Sequence, residues 1–355
     1  PSAMTIELAG VAAALGADTL GIAVEADQAH RAIADALKGA GQGTVVLGSA
    51  AMMHPDFSIL RALGAGIAAA AGVNLGLVGG GSNDCGAWMA GAVPHRVAGG
   101  APVNPPGLGA RSMLEQARDL YLCVGVEPEM DVADPALLAS ALKGARVVAL
   151  SSYASPWLLE HADVLLPIAA FAETSGTFVS IEGAAQSFQG VAAPQGEARP
   201  GWKVLRVLGN LTDLDGFEYT DSTEVRDEVL AANTGLTPDN AVGVLQGARP
   251  QAPTGGWERI GGVPMYRVDA LTRRAHALQL TPDAWGSSAR LSSEAAQSLG
   301  LGEDAAVRIT QGDASAEFAV RIDDAVPDRC IWLPAAVPGS EALGCSFGPV
   351  SVEKV

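Results

Sequence analysis

Between residues 44 and 166 the chain alternates short, unbroken apolar runs with stretches of helical periodicity. Thr44-Val45-Val46-Leu47 is the first run, and Asn74-Leu75-Gly76-Leu77-Val78 the second. Leu120-Tyr121-Leu122-Cys123-Val124-Gly125 is the third, residues 146–150 the fourth and 163–166 the fifth. A helix is predicted over 56–71, with Asp56 as its N-cap and Pro55 stiffening the entry, and a short one near 86–90. Asp134 and Pro135 predict the cap and first position of another helix, which runs to Lys143 and stops at Gly144. A helical turn follows at 156–161. Strands that stay apolar at consecutive positions, separated by helices, belong to parallel sheets covered on both faces. The expected architecture is therefore α/β, doubly wound around a mostly parallel sheet.

The pattern changes twice after residue 166. FAETSGTFVSIEGAAQSF, residues 171–188, places strand-forming residues from Thr177 to Ile181, a turn at Glu182-Gly183 and a return run ending in Phe188, which is a hairpin. Residues 211–285 mix acidic, Pro and Gly residues around one helical pattern near 222–231, with a linker-like run at 250–256. Beyond 286, a capped helix at 292–299 precedes strand patterns at 306–310, 316–322 and 330–333, predicting a small β-barrel-like domain. The expected division is an α/β domain over 1–210, a connecting segment over 211–285 and a β-rich domain over 286–355. The stretch 99–109, rich in Pro and Gly, is expected to be a surface loop.

Charge narrows the functions open to such a fold. With 22 basic and 39 acidic residues the formal net charge is −17, which repels phosphate backbones and anionic lipid surfaces. Nucleic acid is not an expected partner; the charge suits solubility, or docking to a more basic protein neighbour. The uncharged run 62–81 is broken by glycines and Asn74, so direct membrane insertion is not expected, and no secretory signal opens the chain. Cys85, Cys123, Cys330 and Cys345 match no metal-ligand or cluster spacing and are read as free, structural thiols in a reducing compartment.

Candidate chemistry is sparse. Gly79-Gly80-Gly81-Ser82-Asn83-Asp84 follows a strand and precedes a helix, where backbone N–H groups can hold an anion. No Walker lysine follows, and the dinucleotide spacing fails because position 84 is Asp, so a plain loop is the leading reading. The five histidines are scattered without ligand spacing, and no nucleophile elbow is present. No catalytic residue and no metal site is assigned. Glu173, Gly176 and Thr177 lie where a ligand would sit at the carboxyl end of a strand in an open α/β sheet. Glu173 has a structural alternative: a hydrogen bond to nearby backbone that pins the hairpin.

These residues carry a resemblance. Ala162-Asp163-Val164-Leu165-Leu166-Pro167, followed by residues 171–183, resembles the signature ADVVLP…E-x-x-GTF-x-N-x-EGR-x-Q of the molybdopterin oxidoreductase superfamily. Residues 291–307 and the strands after them resemble that superfamily's C-terminal barrel domain. Within it, HPDFSILRALGAGIAAAAG (54–72), SNDCGAWMAGAVPHR (82–96) and GEARPGWKVLRVLGNL (196–211) are similar to one family, the large iron–sulfur subunit designated G of bacterial NADH:quinone oxidoreductase, respiratory complex I.

The resemblance implies a place in the peripheral arm of that complex, among other peripheral-arm subunits, on the cytoplasmic face of the cell membrane. Subunits of this family carry [2Fe–2S] and [4Fe–4S] clusters on cysteine-rich N-terminal regions that nothing here matches, so the chain corresponds to the C-terminal part. It also implies a molybdoenzyme-like scaffold without molybdopterin, supporting electron transfer from NADH to quinone with no chemistry of its own. Gly79, Gly81, Glu173, Gly176 and Thr177 would then line a vestigial crevice. Two departures from the signature bear on this: Ser180 stands where it has Asn, and Ala184 where it has Arg. Losing a guanidinium removes a bidentate donor for a diphosphate, although Arg199 and Lys203 are near in sequence. The alternative is a fragment of a molybdopterin-dependent oxidoreductase, related to formate dehydrogenase or nitrate reductase, that binds a pterin dinucleotide.

Overall fold

The computed structural model describes residues 2–236, 241–243, 245 and 255–355. Most of the run read as a linker, 250–254, lies outside the described residues; Gly255 and Gly256 lead into a strand.

The apolar runs are parallel strands. β1 (Thr44–Leu47) pairs with β2 (Asn74–Leu77), Leu47 lying opposite Leu77, through the crossover helix Phe57–Ala71. β3 (Leu120–Val124), β4 (Arg146–Ser151) and β5 (Val164–Pro167) form a second parallel sheet in that order. Its crossovers are the helices Pro135–Ala141 and Pro156–His161. Each starts where its side-chain cap places it: Asp134 accepts the N–H of Leu137 at 3.0 Å and Ser155 that of Leu158 at 3.2 Å. Proline at the first position then removes a donor that has no partner in the helix.

One cap differs from expectation. Asp56 holds the N-cap position of Phe57–Ala71, but its carboxylate makes no cap hydrogen bond. Its backbone N–H instead donates to Nδ1 of buried His54 at 2.9 Å, so the histidine orders this entry.

Two N-terminal helices, Ser2–Leu15 and Gln28–Gly39, lie outside the expected elements, although the second carries a helical apolar pattern at Ala29, Ala32, Ile33, Ala36 and Leu37 behind the cap Asp27. The first is built mainly of Ala, Leu and other apolar residues on all sides and therefore shows no stripe. Ala9, Ala12 and Leu15 pack with Ala34, Ile59, Leu63 and Ile67 in one buried cluster. His30 locks the two helices together: its Nδ1 accepts the N–H of Asp27 at 3.1 Å, and its Nε2 meets Glu7 at 3.1 Å. The helices approach so closely that a Cβ on Gly10 would lie 2.4 Å from His30 Nε2.

The hairpin forms as expected, with β6 (Gly176–Val179) antiparallel to β7 (Ala185–Phe188). Helices Gly201–Leu211 and Ser222–Ala232 follow. The C-terminal part is a closed barrel of β8 (Trp257–Ile260), β9 (Ala289–Leu291), β10 (Ala306–Gln311), β11 (Ala314–Ile322), β12 (Cys330–Trp332) and β13 (Gly348–Lys354). Their order around the barrel is β10-β11-β9-β12-β8-β13. β8 comes from the stretch expected to be a connecting segment, so the barrel draws on residues before 286. Val307, Ile309, Val320, Ile331 and Leu333 fill its interior. Among them lies Arg259, also fully buried, donating to the carbonyls of Leu333, Pro334, Gly344 and Cys345 and to Gln311.

Candidate functional site

The loop after β2 is closed by its own side chains. Asp84 accepts the N–H of Gly81 at 3.2 Å. A Cβ at Gly81 would meet Asp84 Oδ1 at 2.5 Å and one at Gly79 would meet its Oδ2 at 3.1 Å, so the carboxylate occupies the hollow of the loop. Asn83 reaches outward, and its Oδ1 accepts the N–H of Val179 in β6 at 2.8 Å. That bond, between positions 96 residues apart, brings Gly79 and Gly81 to the strand that carries Gly176 and Thr177.

The hairpin is held together internally. Phe171, Phe178 and Phe188 form a ring cluster with centroids 5.1 to 6.0 Å apart. Gly176 lies opposite Phe188, and a Cβ there would sit 2.7 Å from the ring. Thr177 Oγ1 bonds Ser187 Oγ across the strands at 2.9 Å. Glu173 Oε2 accepts the N–H of Ala170 at 3.0 Å, fixing the 3₁₀ turn Phe171–Glu173 ahead of the hairpin. At the tip, Ser180 Oγ accepts the N–H of Ala184 at 3.2 Å, and Gly183 takes the left-handed backbone that the turn needs, at φ 85°. Ser175 Oγ meets Ser222 Oγ at 2.7 Å, bracing the hairpin against the helix Ser222–Ala232. Arg199 donates to the carbonyl of Ala198 at 2.8 Å, and Lys203 lies 5.3 Å from the Trp202 ring centroid.

The carboxyl ends of β3 and β4, where a parallel sheet offers a ligand crevice, are occupied in a different way. Glu127, just past β3, is almost fully buried and accepts from Arg273 Nη1 at 3.0 Å and from Arg274 Nη1 at 3.1 Å. Arg274 Nη2 bonds the other carboxylate oxygen, and Arg273 Nη2 bonds Asp131. The Arg274 guanidinium also lies 4.4 Å from the ring centroid of Tyr153, just past β4. Burial alone would raise the Glu127 pKa, but the hydrogen bonds and charges of Arg274 and Arg273 outweigh it and hold the carboxyl below its ordinary value. Glu129 is pushed up, first by burial and also by the charges of Glu127 and Asp131. The sequence signal for this cluster is the acidic Glu127-Pro128-Glu129-Met130-Asp131 and the basic pair Arg273-Arg274 in a chain short of cations. Nothing in the linear pattern pairs them.

Among the described residues, no group of three or more His, Cys, Asp or Glu side chains could hold a metal ion. A cleft of about 370 Å³ on the barrel is lined by Ser288, Arg290, Glu303 and Arg321 and by none of the crevice candidates. Its arginines are matched by Asp323 and Glu303, so it has no free positive charge to offer an anion.

The molybdopterin oxidoreductase family model matches residues 23–211. The NADH-quinone oxidoreductase subunit designated G in Streptomyces coelicolor is 27% identical over 283 residues, covering 72% of this chain and 33% of that protein. Its counterpart of the same name in Mycobacterium bovis is 27% identical over 280 residues, covering 72% and 34%. The chain thus spans about a third of the length of these curated relatives. Acetylene hydratase from Pelobacter acetylenicus shares the fold, with a TM-score of 0.52 and 14% identity over 74% of this chain and 48% of that one.

Proposed function

This chain belongs to the molybdopterin oxidoreductase family, and from that premise we propose that it is a scaffold region of the large iron–sulfur subunit of an NADH-quinone oxidoreductase, holding neither a pterin nor a metal and performing no bond chemistry itself. The observation that carries this reading is the Asp84 carboxylate inside the loop Gly79–Gly81. A diphosphate needs free N–H donors and positive charge. Here the N–H of Gly81 is already bonded, and its partner is an anion that repels phosphate. Ala184, at the turn, adds no guanidinium. The residues present therefore do not fit a pterin dinucleotide, and no reaction step runs through one.

The second crevice supports the same reading. Arg273 and Arg274, beside the ends of β3 and β4, are bound to Glu127 and Asp131 and knit the chain together. In this role the chain stabilises and positions neighbouring cluster-bearing polypeptide and other peripheral-arm subunits, and reaches the membrane only through the complex. No helix among the described residues is long and apolar enough to cross a membrane.

Metal and pterin analysis of the purified chain tests the proposal. The expected result is molybdenum and oxidised-pterin fluorescence at background, with no rise in melting temperature on adding GMP or GDP. Stoichiometric molybdenum or pterin overturns it and favours a molybdopterin-dependent enzyme.

A further inference from the structure

The helix Gly201–Leu211 ends in a braced knob that the rest of the chain leaves uncovered. The N–H of Leu214 donates to the carbonyl of Gly209 at 3.0 Å and that of Asp213 to the carbonyl of Asn210 at 3.2 Å, the bonding of a Schellman stop. Thr212 Oγ1 adds a bond to the carbonyl of Leu208 at 2.8 Å. Asp213 takes the left-handed backbone at φ 56°, a place that commonly falls to glycine. In such a stop the next residue commonly packs back on the last turn of the helix. Leu214 does not, because Gly209 offers no side chain and the ring of Phe217 lies against it instead. Leu214 is 55% exposed and Leu211 75%, while Val207, one turn earlier on the face of Leu211, is 47%. Every residue from 210 to 216 is exposed.

The charges at the tip of this knob are of one sign. Asp213 and Asp215 flank Leu214, and Glu218 follows; none of their carboxylates has an ion-pair or hydrogen-bond partner among the described residues. They stand at the carboxyl end of a helix, the negative end of its dipole, where cations are the favourable neighbours. The cations of the flanking helices are engaged or distant. Arg206 is turned to the carbonyl of Tyr219 at 3.2 Å, and Arg226 pairs with Asp227. Lys203 lies about 12 Å back along the helix from Leu211. We propose that the knob 211–215 docks into an apolar hollow rimmed by Lys and Arg on another subunit. Leu211 and Leu214 are its buried anchors, and Asp213, Asp215 and Glu218 pair with the rim. A neutral or acidic surface would desolvate those carboxylates without pairing them. A second copy meeting this one through the same knob would set like charges against each other. The inference rests on the reading of the chain as part of a multisubunit oxidoreductase, which supplies the neighbour.

A photo-crosslinking p-benzoylphenylalanine at Leu214 in the assembled, active oxidoreductase tests it. The same group at Leu159, also exposed, on the helix Pro156–His161, is the control. The expected product at Leu214 is one adduct, mapped by mass spectrometry to a peptide of a different subunit that carries Lys or Arg beside the linked residue, and absent from the Leu159 sample. An adduct with a second copy, with the same polypeptide or with a peptide lacking basic residues overturns this inference alone, as does no adduct in a complex that contains the chain. Absence of the chain from the active complex overturns the proposed function together with it. A variant carrying Asp213→Asn, Asp215→Asn and Glu218→Gln gives an independent readout. Its isolated form is expected to melt within about 2 °C of the parent, as exposed substitutions do, while its share of the assembled complex in competition with the parent falls about tenfold or more. A share equal to the parent's overturns the inference.

Discussion

Arg273 Nη1 lies 3.0 Å from Glu127 Oε2, and the two side chains are only 6% and 4% exposed. This pair joins residues 146 positions apart and fastens the helix Ala270–Arg274, which precedes most of the barrel, to the end of β3. Replacing Glu127 by Gln leaves the guanidinium of Arg273 buried beside a neutral amide. Removing one partner of a buried pair costs about 3–5 kcal/mol. Urea unfolding of Glu127→Gln is therefore expected to show a loss in that range; a loss under about 1 kcal/mol would mean that water already screens the cluster.

The same carboxylate sets a pH dependence. Its pKa in the folded chain is below its ordinary 4.5, despite burial, because Arg274 and Arg273 bond its charged form. The unfolded chain therefore binds this proton first as pH falls, and the stabilisation is present above about pH 4.5 and lost below it. The stability difference between parent and Glu127→Gln is expected to be constant at neutral pH and to shrink as pH drops through this window. Denaturant titrations of both proteins at matched pH check it, since the carboxylates outside the cluster of Glu127, Glu129 and Asp131 cancel in the difference.

Gly10 faces His30 with no room between them. A methyl there forces the imidazole out of its place between the Asp27 N–H and Glu7. Gly10→Ala is expected to destabilise by about 1–3 kcal/mol, the usual cost of overpacking. Adding His30→Ala to it should recover part of that loss, and a double-mutant cycle measures the recovery.

Asn83 is the bridge from the glycine loop to the hairpin, through the N–H of buried Val179. Asn83→Ala leaves that N–H unpaired, at a cost of about 1–3 kcal/mol. Amide exchange at Val179 is expected to speed up about tenfold or more, while amides in the barrel keep their protection. Uniform acceleration across the chain would show instead that the bond supports global stability.

Inside the barrel, the guanidinium of Arg259 satisfies several carbonyls without a carboxylate partner, and burial pushes its pKa down to about 10, so it stays charged at neutral pH. Arg259→Met keeps the volume but removes every donor, and a loss of about 3 kcal/mol is expected from the stranded carbonyls. Arg259→Lys should not restore it, because one ammonium cannot replace a planar fork. Thermal unfolding of the two variants decides the point.

The parallel strands, their crossover helices and the hairpin are legible in the sequence because each is encoded by neighbours. Apolar runs define β1 to β5, Asp134-Pro135 and Ser155-Pro156 start their helices, and Glu182-Gly183 makes the turn. The helix Ser2–Leu15 escapes because it is apolar on every side, and Asp56 looks like a cap although its carboxylate makes no cap bond. Short strands such as Trp257–Ile260 show no pattern of their own, since only closure of the barrel supplies their partners.

The candidate crevice divides in the same way. The residue types at Gly79, Gly81, Glu173, Gly176 and Thr177 are evident from the sequence; Glu173, Gly176 and Thr177 carry part of the resemblance to the family, and the missing guanidinium at Ala184 departs from it. The tertiary structure decided what occupies the space: Asp84 in the loop, Asn83 on Val179, and Arg273 and Arg274 on Glu127. Local chemistry is set by residues a few positions apart, so the sequence alone determines it. A hydrogen bond or ion pair across 96 or 146 residues depends on the path of the whole chain, and only the folded chain brings those partners together.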